Sequence, residues 1–91
     1  MRRRDSVIGD KNLIGARVEK RRKDLGWKQK ELLAKLQVRG LELNASALSK
    51  LEGQIRSVSD YELLAIAKTL NTSVMWLLTG VETEPMVLSE E

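Results

Sequence analysis

The chain has 91 residues, 42% hydrophobic and 32% charged, with 1 Pro and 6 Gly, enough for a single core and too apolar for a disordered chain. It has no Cys and no His, which excludes disulfides and thiolate zinc sites, removes the commonest general base, and argues against an enzyme or any metal cofactor. The formal charge of +3 is uneven: residues 1–56 carry 15 Lys/Arg against 7 Asp/Glu, whereas residues 57–91 carry 1 against 6. A basic first portion suits a polyanion, and the acidic remainder suits a protein partner.

Residues 1–11 read as a basic N-terminal arm. Arg2, Arg3 and Arg4 lead into Asp5 and Ser6 instead of an apolar leader, and nowhere does an apolar run approach the ~20 residues of a membrane span. The expectation is a soluble, cytoplasmic, nucleoid-associated protein with no membrane association. The arm could lie in a DNA minor groove or be a disordered start. Residues 12–80 show no strand-like alternation and divide into helical segments of about ten residues. Helix 1 is predicted over about 12–25, with Asp10 or Asn12 at its start, Ile14, Val18 and Leu25 on its apolar stripe, and Gly26 as a left-handed stop. Helix 2, from Gln29 to Leu36, buries Leu32, Leu33 and Leu36, and Trp27 packs across its first turn. A mixed connector from Gln37 to Leu43 precedes helix 3, capped by Asn44 over 45–53 with Leu48 and Leu51 inward. Ser59 and Glu62 form a capping-box pattern for helix 4, about 60–70, which buries Leu63, Ile66, Ala67 and Leu70. Asn71, Thr72 and Ser73 open a brief helix 5 from Val74 to Thr79 that stops at Gly80, and 81–91 form an acidic tail.

Two short helices with a basic first turn, a connector and a third helix capped by Asn44 are the ingredients of a helix-turn-helix. The residues extend this. Ile14-Gly15-x-Arg17-Val18, Arg22, Gly26-Trp27, Gln29-x-Glu31-Leu32, Leu48-Ser49-x-Leu51-Glu52 and Ile66-Ala67-x-x-Leu70-x-x-Ser73-Val74-x-Trp76-Leu77-Leu78 resemble the phage Cro/repressor-like (XRE-type) helix-turn-helix family over about residues 13–80. The resemblance implies an all-α, five-helix, lambda-repressor-like DNA-binding domain that reads DNA with helices 2 and 3. It also implies an ion pair between Arg22 and Glu52 and a homodimer on paired half-sites. Three departures stand out. Lys28 and Leu33 replace smaller residues, the turn between helices 2 and 3 is long, and Gly53 precedes the family's usual Gly position at Gln54, so the end of helix 3 is expected to shift or distort.

Lys28 and Lys30 lie in the first turn of helix 2, where the dipole disfavours cations, so a phosphate there would be favoured by both charges, the free N–H groups and the Gln29 amide; the bland alternative is two lysines in water. Arg17, Arg39, Lys50 and Arg56 are further phosphate candidates. Ala45, Ser46, Ala47, Ser49 and Lys50 lie off the Leu48/Leu51 face and would enter the major groove. That set lacks the Arg, Asn or Gln of bidentate base contacts, so readout would rest on methyl packing from alanine, single serine hydrogen bonds and Lys50 toward guanine, aided by DNA shape. Tyr61, Leu64, Met75 and Trp76 lie off or at the edge of the apolar face of helices 4 and 5 and are candidates for a two-fold interface, or for completing a small core. The reading is a sequence-specific transcriptional regulator, a repressor on a palindromic operator. The rival is an adaptor or antirepressor that keeps the fold without reading DNA.

Overall fold

Five α-helices and no strand occur among residues 9–81, the part of the chain that the computed structural model describes. They are α1 (Gly15–Asp24), α2 (Gln29–Val38), α3 (Ala45–Glu52), α4 (Asp60–Leu70) and α5 (Val74–Thr79). Arg2, Arg3 and Arg4 of the arm, and the tail from residue 82, lie outside the described residues.

Each helix starts where a side chain satisfies its free N–H groups. α1 begins later than position 12 because Asn12 uses its own side chain as the cap: Oδ1 accepts from the N–H of Ile14 (3.0 Å) and Gly15 (2.8 Å). The same amide donates to the carbonyls of Leu51 (3.1 Å) and Arg56 (2.7 Å), so one residue starts α1 and anchors it to the end of α3. α2 has half a capping box. Glu31 Oε1 accepts from the Lys28 N–H (2.7 Å), but the Lys28 ammonium has no lone pair to offer in return. Asn44 caps α3 by accepting from the Ala47 N–H (2.8 Å). α4 carries the full box, with Ser59 Oγ accepting from the Glu62 N–H (3.3 Å) and Glu62 Oε1 accepting from the Ser59 N–H (2.9 Å). Ser73 Oγ accepts from the Trp76 N–H (2.9 Å) at α5, and Gly80, at φ 79°, ends it.

The core draws on every helix: Ile14 and Val18 from the start and body of α1, Leu32 and Leu36 from α2, Leu48 and Leu51 from α3, Ile66, Ala67 and Leu70 from α4, and Leu77 from α5. α3 packs between α1 and α2, α4 closes over α1 and α2, and α5 packs on α4. The region after Leu36 differs from the expected mixed connector. α2 continues to Val38, and Leu41 and Leu43 turn inward as core residues. Gln37 Nε2 closes this loop by donating to the Leu43 carbonyl (2.9 Å). Helical spacing ends at Val38, so the inward leucines after it carry no periodic signal.

The end of α3 also differs. Gly53 keeps a right-handed φ of −82°, and the left-handed position falls on Gln54 at φ 64°. The helix end is therefore not shifted; a non-glycine residue takes the strained conformation instead. Packing holds it there. The Gln54 side chain is buried, its Nε2 donates to the Asn12 carbonyl (2.7 Å), and it lies against Gly15. A Cβ on Gly15 would collide with the Leu51 carbonyl, so the close approach of α1 to the end of α3 requires glycine. Of the four candidate interface residues, Tyr61, Leu64 and Met75 are exposed, but Trp76 is half-buried and packs against the core, as a large side chain in a small domain must.

Candidate nucleic-acid interface

α3 has two faces of different chemistry. Leu48, Leu51 and Glu52 are buried, and Ala45, Ser46, Ser49 and Lys50 are exposed; Ala47 lies between them, half-buried against the core. The short amphipathic period alone produces this division.

The orientation of α3 is fixed by a buried polar cluster. Arg22 Nε donates to Glu52 Oε2 (2.7 Å) and its NH2 group to Oε1 (3.0 Å), and the two side chains are only 8% and 3% exposed. The remaining Arg22 nitrogen donates to the Trp27 carbonyl (2.8 Å), and Gln29 Nε2 donates to Glu52 Oε1 (2.9 Å). The hydrogen bond to Glu52 holds the Arg22 pKa above its ordinary value against the opposing effect of burial, with further help from the charges of Glu52 and Glu19. The cluster therefore ties α1, the start of α2 and the end of α3 at one point. Gln29, a candidate phosphate contact, is committed to this cluster through its amide nitrogen.

Two more of the phosphate candidates are engaged within the chain. Arg17 donates from Nε to the Leu77 carbonyl (2.8 Å) and from NH2 to the carbonyls of Leu78 (3.0 Å) and Leu13 (3.1 Å). It thus satisfies the free C-terminal carbonyls of α5, where a cation is favoured by the helix dipole. Arg56 makes a two-pronged pair with Glu62, NH1 to Oε1 at 3.2 Å and NH2 to Oε2 at 3.1 Å. That pair, together with the Ser59 bonds and against the effect of burial, holds the Glu62 carboxyl below its ordinary value of 4.5. Arg21, which the sequence reading did not single out, caps α4 as Arg17 caps α5, donating to the carbonyls of Leu70 (2.8 Å) and Asn71 (3.3 Å). The signal for it was the i, i+4 spacing of Arg17 and Arg21 along one side of α1.

What remains is a set of exposed cations bordering α3. Lys28 and Lys30 flank Gln29, whose contact with Glu52 brings the start of α2 beside the end of α3, where Lys50 lies. Arg39 sits at the other end, in the connection into α3. Lys28, Lys30, Arg39 and Lys50 form no ion pair among the described residues, in contrast to Lys20 with Asp24 (3.2 Å) and Lys23 with Glu19 (2.9 Å) on the outer face of α1. Lys35 lies over the Trp27 ring, 4.7 Å from its centroid. Between α3 and the extended return after it lies a concavity of about 420 Å³, lined by Asn44, Ser46, Ala47, Lys50, Ile55 and Arg56. Ile55 was missed by sequence reasoning because it follows α3 and belongs to no helical period.

Among the described residues there is no group of three or more His, Cys, Asp or Glu that could hold a metal ion, and no helix long and apolar enough to cross a membrane. Compared with protein families, with curated proteins and with solved structures, the chain has no match.

Proposed function

We propose that the chain is a sequence-specific double-stranded DNA-binding regulator of transcription, with α2 and α3 as a helix-turn-helix and α3 entering the major groove. The observation that carries this reading is the set of exposed cations on α3 and the segments flanking it, Lys28, Lys30, Arg39 and Lys50, which form no ion pair among the described residues, beside an α3 outer face of small and donor side chains. A duplex offers phosphates to such a border and base edges to such a face. The protein acts as a non-catalytic repressor in the cytoplasm, on the nucleoid, and binds a palindromic operator as a homodimer. Exposed Tyr61, Leu64 and Met75 on α4 and α5 supply apolar surface for the two-fold contact. Those same residues favour the second reading, an adaptor that docks another protein through α4 and α5.

The test is a selection from random duplexes followed by titration of the best site at several salt concentrations. The expected result is an inverted repeat bound with steep salt dependence. Lys28→Gln with Lys30→Gln is expected to lower the salt slope by about 1 for each lysine that meets a phosphate. No enriched sequence and weak, salt-insensitive association would overturn the DNA reading and favour the adaptor.

A further inference from the structure

The concavity beside α3 has a chemistry of its own, and the role inferred for it rests on the reading that α3 enters the major groove. After the left-handed Gln54 the Ile55 N–H donates to the Lys50 carbonyl (2.9 Å), and Ile55 lines the concavity together with Asn44, Ser46, Ala47 and Lys50 of the α3 region. It is 51% exposed, an apolar side chain that the core does not use. Its place is set: Gly9 packs against Ile55 Cγ2 while its N–H donates to the Gly53 carbonyl (2.9 Å), and a Cβ at Gly9 would not fit. Ile55 and Ala47 form the apolar part of the concavity, with Ser46 and Lys50 beside them.

The polar groups there are mostly donors. The Lys50 ammonium can only donate, Asn44 Oδ1 is used by the Ala47 N–H so that its NH2 remains, and among the described residues no carboxylate lines the site. Arg56 is held by Glu62. A methyl surface next to a donor matches one base edge in the major groove. Thymine presents a C5-methyl beside the O4 acceptor; cytosine presents a donor at that place, and the purines have no methyl.

We propose that this concavity seats the C5-methyl of a thymine, with Ile55 and Ala47 against the methyl and Lys50 donating to O4. A 5-methylcytosine offers the same methyl, but its N4–H₂ would face the Lys50 ammonium, donor against donor. The site is therefore selective for thymine.

The test uses the full chain and the best duplex from the selection, with each thymine replaced in turn by deoxyuridine, which deletes only the methyl. At one position in each half-site the wild-type protein is expected to lose about fourfold in affinity, the effect of one buried methyl. Ile55→Ala is expected to bind the thymine and deoxyuridine duplexes equally, and a 5-methylcytosine·guanine pair at that position to bind no better than deoxyuridine. Equal wild-type affinity for thymine and deoxyuridine at every position, with duplex binding and its salt dependence intact, overturns the methyl seat and leaves the DNA reading standing. This arm does not depend on how well any variant folds. Retained discrimination in Ile55→Ala removes Ile55 from the seat, and full affinity for 5-methylcytosine overturns the pairing of Lys50 with O4. Absence of duplex binding overturns the DNA reading and the seat together.

Discussion

The basic residues of α1 and those bordering α3 have opposite fates. On α1, Arg17 and Arg21 turn to the C-terminal carbonyls of α5 and α4, and Arg22 turns to the buried Glu52. Around α3, Lys28, Lys30, Arg39 and Lys50 extend from the surface, and Arg56, after the end of the helix, is held by Glu62. The division follows the chemistry of the two side chains. A guanidinium presents several donors in a rigid fork and can serve two or three acceptors of the fold at once, whereas an ammonium is a compact, strongly hydrated charge that stays in water until an anion arrives. On α1, Lys20, Arg22 and Lys23 are each paired with a carboxylate, whereas Lys28, Lys30, Arg39 and Lys50 form no ion pair among the described residues.

The sharpest way to break the comparison is at Arg22. Arg22→Ala strands the Glu52 carboxylate in the core and is expected to cost about 3–5 kcal/mol, measured by chemical or thermal unfolding. Arg22→Met combined with Glu52→Leu should cost much less, since no charge is left buried. Equal losses would mean that the pair acts through shape and not through charge.

Arg17→Ala tests the same assignment at a partly exposed position. Losing the caps on α5 is expected to cost about 1 kcal/mol in thermal stability and to leave the salt slope of duplex binding at the wild-type value. A shallower slope with unchanged stability would return Arg17 to the phosphate contacts.

Glu62 gives a pH test. Its folded pKa lies below its unfolded value, chiefly through Arg56, so its contribution is fully present above about pH 4.5 and is lost as pH falls through the folded value. Glu62→Gln is therefore expected to lower stability at pH 7 and to flatten the acid side of the stability profile below pH 4.5, as followed by helical circular dichroism. An unchanged acid limb would show that the Arg56 pair contributes nothing. The smallest effect is expected at the lysines: Lys28→Gln with Lys30→Gln should leave stability within about 0.5 kcal/mol, since both side chains are exposed and form no ion pair among the described residues.

The helical framework was largely legible. Asn44, Ser59 and Ser73 cap where the local pattern places them, and Gly26 and Gly80 take the left-handed stops at φ 80° and 79°. The candidate site was legible in part. Ser46, Ser49 and Lys50 are exposed as their helical phase implies, because phase is a local property. The partners within the chain of the phosphate candidates Arg17, Gln29 and Arg56 were not legible, because Leu77, Glu52 and Glu62 lie 60, 23 and 6 residues away and share no helix with them. Leu41 and Leu43 were missed as core for a related reason: they enter it from a loop, where no period marks burial.

The sequence by itself determined the helices, since caps, stops and apolar spacing act within a few residues of the chain. It also determined that positive charge gathers before residue 57 and negative charge after it. Only the tertiary structure decided which cations remain at the surface, because an arginine's partners are chosen by which helix ends packing brings within its reach. The left-handed Gln54 and the exposed Ile55 beside α3 are of the same kind. A non-glycine residue holds a positive φ only when contacts made from far along the chain, here Asn12 and Gly15, over-determine it.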